Sequence, residues 1–211
     1  MPKNARPSKD INAIELGFVE REATPKFAMK LGIQMHLAGL SLSNTVSVLE
    51  SLGVERVRST VHNWVHKADL QPDDDMNPNQ VAVDETMILL NGDWYWLYMA
   101  VDPDTNDVLH TKLHPTRNHY TAKDFMLELV EKHDLDKSVF LVDGLPSLHA
   151  ACRYHSLRFR YEKHGNRNSV ERVFREVKRR TQTFSNCFSN AHLRTADDWL
   201  KSYTNRRFVC S

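Results

Sequence analysis

Three carboxylates stand where local structure alone accounts poorly for them. Asp84 interrupts the apolar run Val81-Ala-Val-Asp84-Glu-Thr, although Asp is depleted in strands because its side chain competes with the backbone ladder. Asp143 closes the run Ser138-Val-Phe-Leu-Val142 and precedes Gly144, and Glu171 lies in the first turn of a basic, helix-forming stretch. Each has a plain alternative. Asp84 could sit on an exposed edge strand, Asp143 could simply form an Asp-Gly turn, and Glu171 could be the capping-box partner of Asn168. Taken together they suggest more. If the first and fourth strands of a sheet are neighbours, the two aspartates can meet at one edge, and a helix packed beside those strand ends can add Glu171. Three uncompensated carboxylates at one point repel, so such a cluster implies bound cations. Oxygen-only ligation selects Mg²⁺ or Mn²⁺ over Zn²⁺. Two such ions, about 3.5–4 Å apart, would activate a water or a 3′-hydroxyl and stabilise the leaving oxygen of an in-line phosphoryl displacement.

The elements that must position these groups follow from periodicity and turn residues. Gln80–Leu90 reads as a strand, Asn91-Gly92 as a hairpin turn, and Trp94–Asp102 as the returning strand. Val108–His114 is a third strand, and a helix is expected from Thr121, where Thr-x-x-Asp124 resembles a capping box. Next come a buried parallel strand over 138–142, a helix near 146–154, a strand near 157–161, a helix from Asn168 to about Thr181 and a last helix over roughly 191–203. That order predicts an α/β core with a mixed sheet covered by helices.

Before this core the apolar spacing is helical. Pro25 can open a helix to about Leu37; Ser41 can cap a second with Leu42, Val46 and Leu49 inward, stopping at Gly53; a third turns Val61, Trp64 and Val65 inward. Two short helices about a Gly-containing turn have the form of a helix-turn-helix. The second would expose Arg58, Thr60, His62, Asn63, His66 and Lys67, side chains suited to phosphates and base edges. A packing module without DNA is the alternative. Residues 71–79, rich in Pro, Asp and Asn, read as a linker. The expected domains are therefore 1–70, with the DNA-binding part at about 25–68, and a core over 80–211.

Several stretches together resemble the DDE transposases with an RNase H-like catalytic core, and most closely the insertion-sequence family six type. They are Gly39-Leu-Ser-Leu-Ser43 through Leu52-Gly-Val54, Thr60-Val-His-Asn-Trp64, Val83-Asp84-Glu-Thr86, Trp96-Leu-Tyr98 with Asp102-Pro-Asp-Thr105, Phe140-Leu-Val-Asp143, and Glu171-Arg-Val-Phe174 with Lys178-Arg179. The resemblance covers about residues 25–205. It implies a five-stranded RNase H-like sheet behind an all-α helix-turn-helix domain, with Asp84, Asp143 and Glu171 binding a pair of Mg²⁺ or Mn²⁺ ions. It also implies a transposase that binds terminal inverted repeats, nicks 3′ ends and joins them to target DNA, as an oligomer on DNA. The wider signature Tyr-x2-Arg-x3-Glu-x6-Lys can be laid on Arg167, Glu171 and Lys178, with His164 in the Tyr slot. Glu171, Arg175 and Lys178 share a helix face, and Arg167 and Lys178 are expected on DNA phosphates.

Composition narrows the alternatives. Lys+Arg 28 against Asp+Glu 27 gives a net +1, so any polyanion must be held by local patches, such as the six bases and two acids between Arg167 and Arg180. Three Cys without Cys-x-x-Cys argue against a disulfide scaffold or Cys-rich zinc finger, and His110 and His114, although on one strand face, lack a Cys or carboxylate at ligand spacing for zinc. Seven Gly without a Walker or Gly-x-Gly-x-x-Gly loop give no case for nucleotide hydrolysis. No apolar run reaches membrane-span length, and a cytoplasmic, nucleoid-associated protein is expected. Two other functions fit the residues: an inert DNA-binding regulator, and a structure-selective nuclease or resolvase of the same fold.

Overall fold

The structure is a computed structural model that describes residues 16–18, 24–68, 70, 74–163, 165–183 and 192–204. His164 lies outside that set, as does nearly all of the stretch Ile11–Glu22, whose sequence allows a short helix. The chain divides into two compact units, Met1–Gln71 with Asp198–Ser211, and Pro72–Asp197. The first differs from the expected division, which kept everything after residue 80 in the core. An amphipathic stripe announces that a helix will be buried but not against which neighbour.

In the first unit, α1 (Lys26–Leu37), α2 (Leu42–Ser51) and α3 (Arg58–Lys67) form in the expected order. Ser41 caps α2 by accepting from the Asn44 N–H at 3.1 Å. Val61 and Trp64 are fully buried and Val65 nearly so. On α2 the buried residues are Thr45 and Leu49, with Val46 only half-buried, so the inward stripe is turned from the expected Leu42–Val46–Leu49 line. α1 approaches Trp64 closely: a Cβ on Gly32 would lie 3.1 Å from Trp64 Cζ3 and 3.3 Å from Leu49 Cδ1.

The second unit carries β1 (Gln80–Leu90), β2 (Asp93–Val101), β3 (Val108–His114), β4 (Val139–Val142) and β5 (Phe159–Tyr161) in one mixed sheet of order β3-β2-β1-β4-β5. β1 pairs antiparallel with β2 and parallel with β4, so it is a central strand. The edge-strand alternative for Asp84 is thereby removed. Asn91 and Gly92 both take positive φ, 52° and 89°, as the tight hairpin turn requires.

Side chains alternate along β1. Val81 and Val83 join Tyr98, Phe125, Met126, Leu129, Phe140 and Val142 in a core under α4 (His119–Lys132) and α5 (Pro146–Tyr154). Asp84 therefore faces the other side, where α6 (Asn168–Thr183) lies against β1. A further helix, α7, spans Leu193–Thr204. α4 starts earlier than the expected Thr121. Asn118 is its cap, accepting from the Tyr120 and Thr121 N–H groups, while Thr121 Oγ1 accepts from the Asn118 N–H. Thr121 is thus the far arm of the box, because Asn118 satisfies two orphan donors that Thr121 cannot reach.

Candidate active site

The parallel register decides where the two aspartates lie. Gln80 is level with Val139, Val81 with Phe140 and Ala82 with Leu141. Continued by two residues, the same register sets Asp84 level with Asp143 on one face of adjacent strands. Their charges act on each other, since Asp143 contributes to raising the Asp84 pKa. Asp143 also makes the turn foreseen for it, its Oδ1 accepting from the Leu145 N–H at 2.9 Å. His149 Nε2–H donates to the Asp143 carbonyl at 2.7 Å and pins that turn from α5.

Glu171 reaches Asp84 through Arg167, the last residue of a single 3₁₀ turn, Gly165–Arg167, that leads into α6. Arg167 Nη1 donates to Asp84 Oδ2 at 2.7 Å, and its Nη2 donates to Glu171 Oε1 at 2.9 Å. One planar fork thus joins a strand carboxylate to a helix carboxylate. In this pairing the guanidinium is buried and not turned to solvent. Asp84 is mostly buried and Glu171 about half exposed, and a cation that reaches both is drawn between them. Glu171 is occupied by this pair and not by the capping-box exchange with Asn168.

Burial pushes the Asp84 carboxyl above the usual carboxylate range, with Arg167 and the Glu85 N–H pulling it back. The neighbouring Glu85 points to the opposite face of the sheet, level with Tyr98, and its side chain is only 3% exposed. Burial and then the Asp84 charge push Glu85 up to about 7, against the pull of Arg117. Arg117 Nη1 donates to Glu85 Oε1 at 3.1 Å while its guanidinium stacks 4.1 Å from the Trp96 ring. Glu85 and Arg117 were missed because the apolar context of Val83-Asp84-Glu85 was weighed for one acid only; alternation puts the two acids on opposite faces, each needing its own partner.

A raised acid makes the folded state hold its proton longer than the unfolded chain does. The Glu85 contribution to stability is therefore present below its unfolded value of 4.5 and lost as pH rises through about 7. Without divalent ions, wild-type stability should fall between about pH 4.5 and 7. Glu85→Gln should flatten that fall by up to about 3 kcal/mol, each tenfold change in proton affinity being about 1.4 kcal/mol. Urea melts across that range check this, and parallel slopes for wild type and variant would refute it.

Beside Glu171 opens a cleft of about 400 Å³ lined by Gly165, Asn168, Glu171, Arg172 and Arg175. Arg175 and Lys178 are exposed on α6, and Arg172 Nη2 donates to Asn106 Oδ1 at 2.8 Å. On α3, Arg58, Asn63 and Lys67 are exposed and Thr60, His62 and His66 half-buried. The His62 and His66 Nε2 atoms lie 3.1 Å apart, and Lys67 Nζ sits 5.5 Å from the Phe18 ring centre. His110 Nε2 pairs with Glu128 Oε2 at 3.1 Å, and Lys112 bridges Asp124 and Glu128, so these groups brace β3 against α4.

Among the described residues no group of three His, Cys, Asp or Glu side chains is placed so as to hold a metal ion. The donor set nevertheless suits a hard divalent cation. Asp84 and Glu171 already converge on one cationic group, Asp143 stands in register beside them, and every donor is a carboxylate oxygen.

An uncharacterized protein of Methanocaldococcus jannaschii, MJ0017, is 31% identical over 173 residues, 80% of this chain and 79% of that one. Among solved structures, the chain is similar to a chain of the simian T-cell lymphotropic virus intasome in complex with PP2A regulatory subunit B56 gamma, with TM-score 0.47 and 14% identity. That match covers 82% of this chain and 66% of that one. It is also similar to the HTLV-2 integrase catalytic core domain in complex with magnesium, in its dimeric form, with TM-score 0.46 and 16% identity over 62% of this chain and 87% of that one. The family model described as a DDE domain, DDE_Tnp_IS240, matches residues 79–201, the span that carries Asp84, Asp143 and Glu171. With more than half of its length so matched, the chain belongs to the family of this DDE domain, DDE_Tnp_IS240.

Proposed function

We propose that this protein is a DNA transposase, of the insertion-sequence family six type, that nicks element ends and joins them to target DNA. The observation that carries the proposal is the meeting of Asp84 and Glu171 on one guanidinium, with Asp143 in register on the next strand. Asp84, Asp143 and Glu171 would hold two Mg²⁺ or Mn²⁺ ions. Bound there, such ions supply Lewis-acid stabilisation of the in-line displacement and lower the pKa of the attacking water or 3′-hydroxyl.

The chain's own residues supply the rest. His149 holds the Asp143 turn from α5, which fixes the height of that carboxylate beside Asp84. Arg175 and Lys178, one and two turns beyond Glu171 on the same face, offer cations to the DNA backbone beside the cleft. With water and hydroxyl as nucleophiles, no covalent protein–DNA intermediate forms. The α2–α3 pair would act as a helix-turn-helix, with Arg58, Thr60, His62, Asn63, His66 and Lys67 meeting the terminal inverted repeats. Expected domains are the DNA-binding helices at about 25–68, the linker over 71–79 and the core from 80 onward. Two ends must be handled together, so the working form on DNA is a homo-oligomer, in the cytoplasm and nucleoid.

Incubation with labelled element-end DNA, a target plasmid and Mn²⁺ tests the proposal. Nicked and joined products support it. Cutting without joining of pre-cut ends would mark a structure-selective nuclease, and binding without either product an inert regulator.

A further inference from the structure

Arg167 is the one cation buried between the carboxylates of the candidate site among the described residues, and its geometry is specific. The guanidinium is 9% exposed and takes one oxygen from β1 and one from α6, which sit far apart in sequence. A Lys ammonium is a point charge and could not span two carboxylates as a rigid fork does. The pose is also incomplete, since Arg167 Nε is buried with no acceptor among the described residues. A buried donor without a partner raises the free energy of the state that contains it.

We propose that Arg167 is a built-in counter-cation: it occupies the Asp84–Glu171 pair while no divalent ion is bound and must leave that pair for an ion to enter. The chain thereby limits its own metal affinity. Without Arg167, two acids and the adjacent Asp143 would face one another uncompensated in the empty site. With it, the ion-free fold is held together, and loading becomes a competition between a guanidinium and a divalent ion for the same two oxygens. This rests on the assignment of Asp84 and Glu171 as ion ligands, and it predicts that removal of a conspicuous ion pair strengthens ion binding.

The test is Mn²⁺ binding by the full chain, followed by electron paramagnetic resonance of free Mn²⁺, with no DNA present. Arg167→Gln should bind Mn²⁺ at least tenfold more tightly than wild type. Arg167→Lys should fall between them. Unchanged or weaker binding by a folded Arg167→Gln overturns the proposal. Asp84→Asn separates the two claims: lost Mn²⁺ binding in Asp84→Asn beside unchanged affinity in Arg167→Gln sinks the counter-cation alone, whereas retained binding in Asp84→Asn sinks the ion-ligand assignment beneath it. Should Arg167→Gln fail to fold, ¹⁵N spectra of the wild-type guanidinium decide. On addition of Mg²⁺ the slowly rotating, bridged signal should give way to a freely rotating one, and a signal that stays bridged at saturating Mg²⁺ refutes the exchange.

Discussion

Asp84→Asn should abolish metal-dependent nicking and joining of element-end DNA, by roughly 10³-fold or more, the scale lost when a group aimed at developing charge is removed. The substitution keeps the shape of the side chain and takes away only its charge. Asp84 lies on the central strand of the sheet, with one oxygen on the Glu85 N–H and the other on Arg167, so neither its position nor its partners can be replaced from solvent. End binding, which is assigned to α3, should change less than twofold. Gel-shift and strand-transfer assays on the same preparation read both quantities. Retained strand transfer would contradict the catalytic assignment, and lost end binding would show that the variant had disturbed more than the site.

Phe125→Ala should cost about 3–5 kcal/mol of stability, the range for removing a fully buried aromatic ring from a packed core. The Phe125 ring is wholly buried, with ring centres 5.2 Å from His110 and 5.5 Å from Tyr98. It holds α4 against the face of the sheet opposite Asp84. A loss of that size is a large part of the roughly 5–15 kcal/mol by which a domain is stable at all. Urea unfolding should show a lower midpoint with an unchanged slope. Phe125→Leu, which keeps most of the volume, should cost less than about 1.5 kcal/mol. A loss below about 1 kcal/mol for the alanine variant would mean that α4 is not held by this ring.

Both predictions depend on sheet order, and much of that order is written in local pattern. The hairpin at Asn91-Gly92 follows from the two residues that adopt positive φ most cheaply. β3, α5 and the starts of β1 and α6 fall where alternation, a leading Pro and the stretch opening at Asn168 put them. Boundaries slipped where two residues competed for one role. Asn118 took the cap from Thr121, and the short parallel strands β4 and β5 began one and two residues later than their apolar runs suggested. The stripe on α2 also turned by one residue, burying Thr45 in place of Val46.

The identity of the three acids and their places at strand end, mid-strand and first helical turn are local facts, legible in a single chain because charge in an apolar run is costly wherever it falls. What each acid pairs with is not local. Nothing near Arg167 in sequence names Asp84 as its partner; the two lie 83 residues apart and become neighbours only when β1 and α6 pack. Glu85 likewise acquired Arg117 only through the fold. Long-range ion pairs depend on distance and dielectric together, and both are set by the tertiary structure. Periodicity and turn chemistry determined the elements and the residues worth watching; packing alone decided which cation answered each acid.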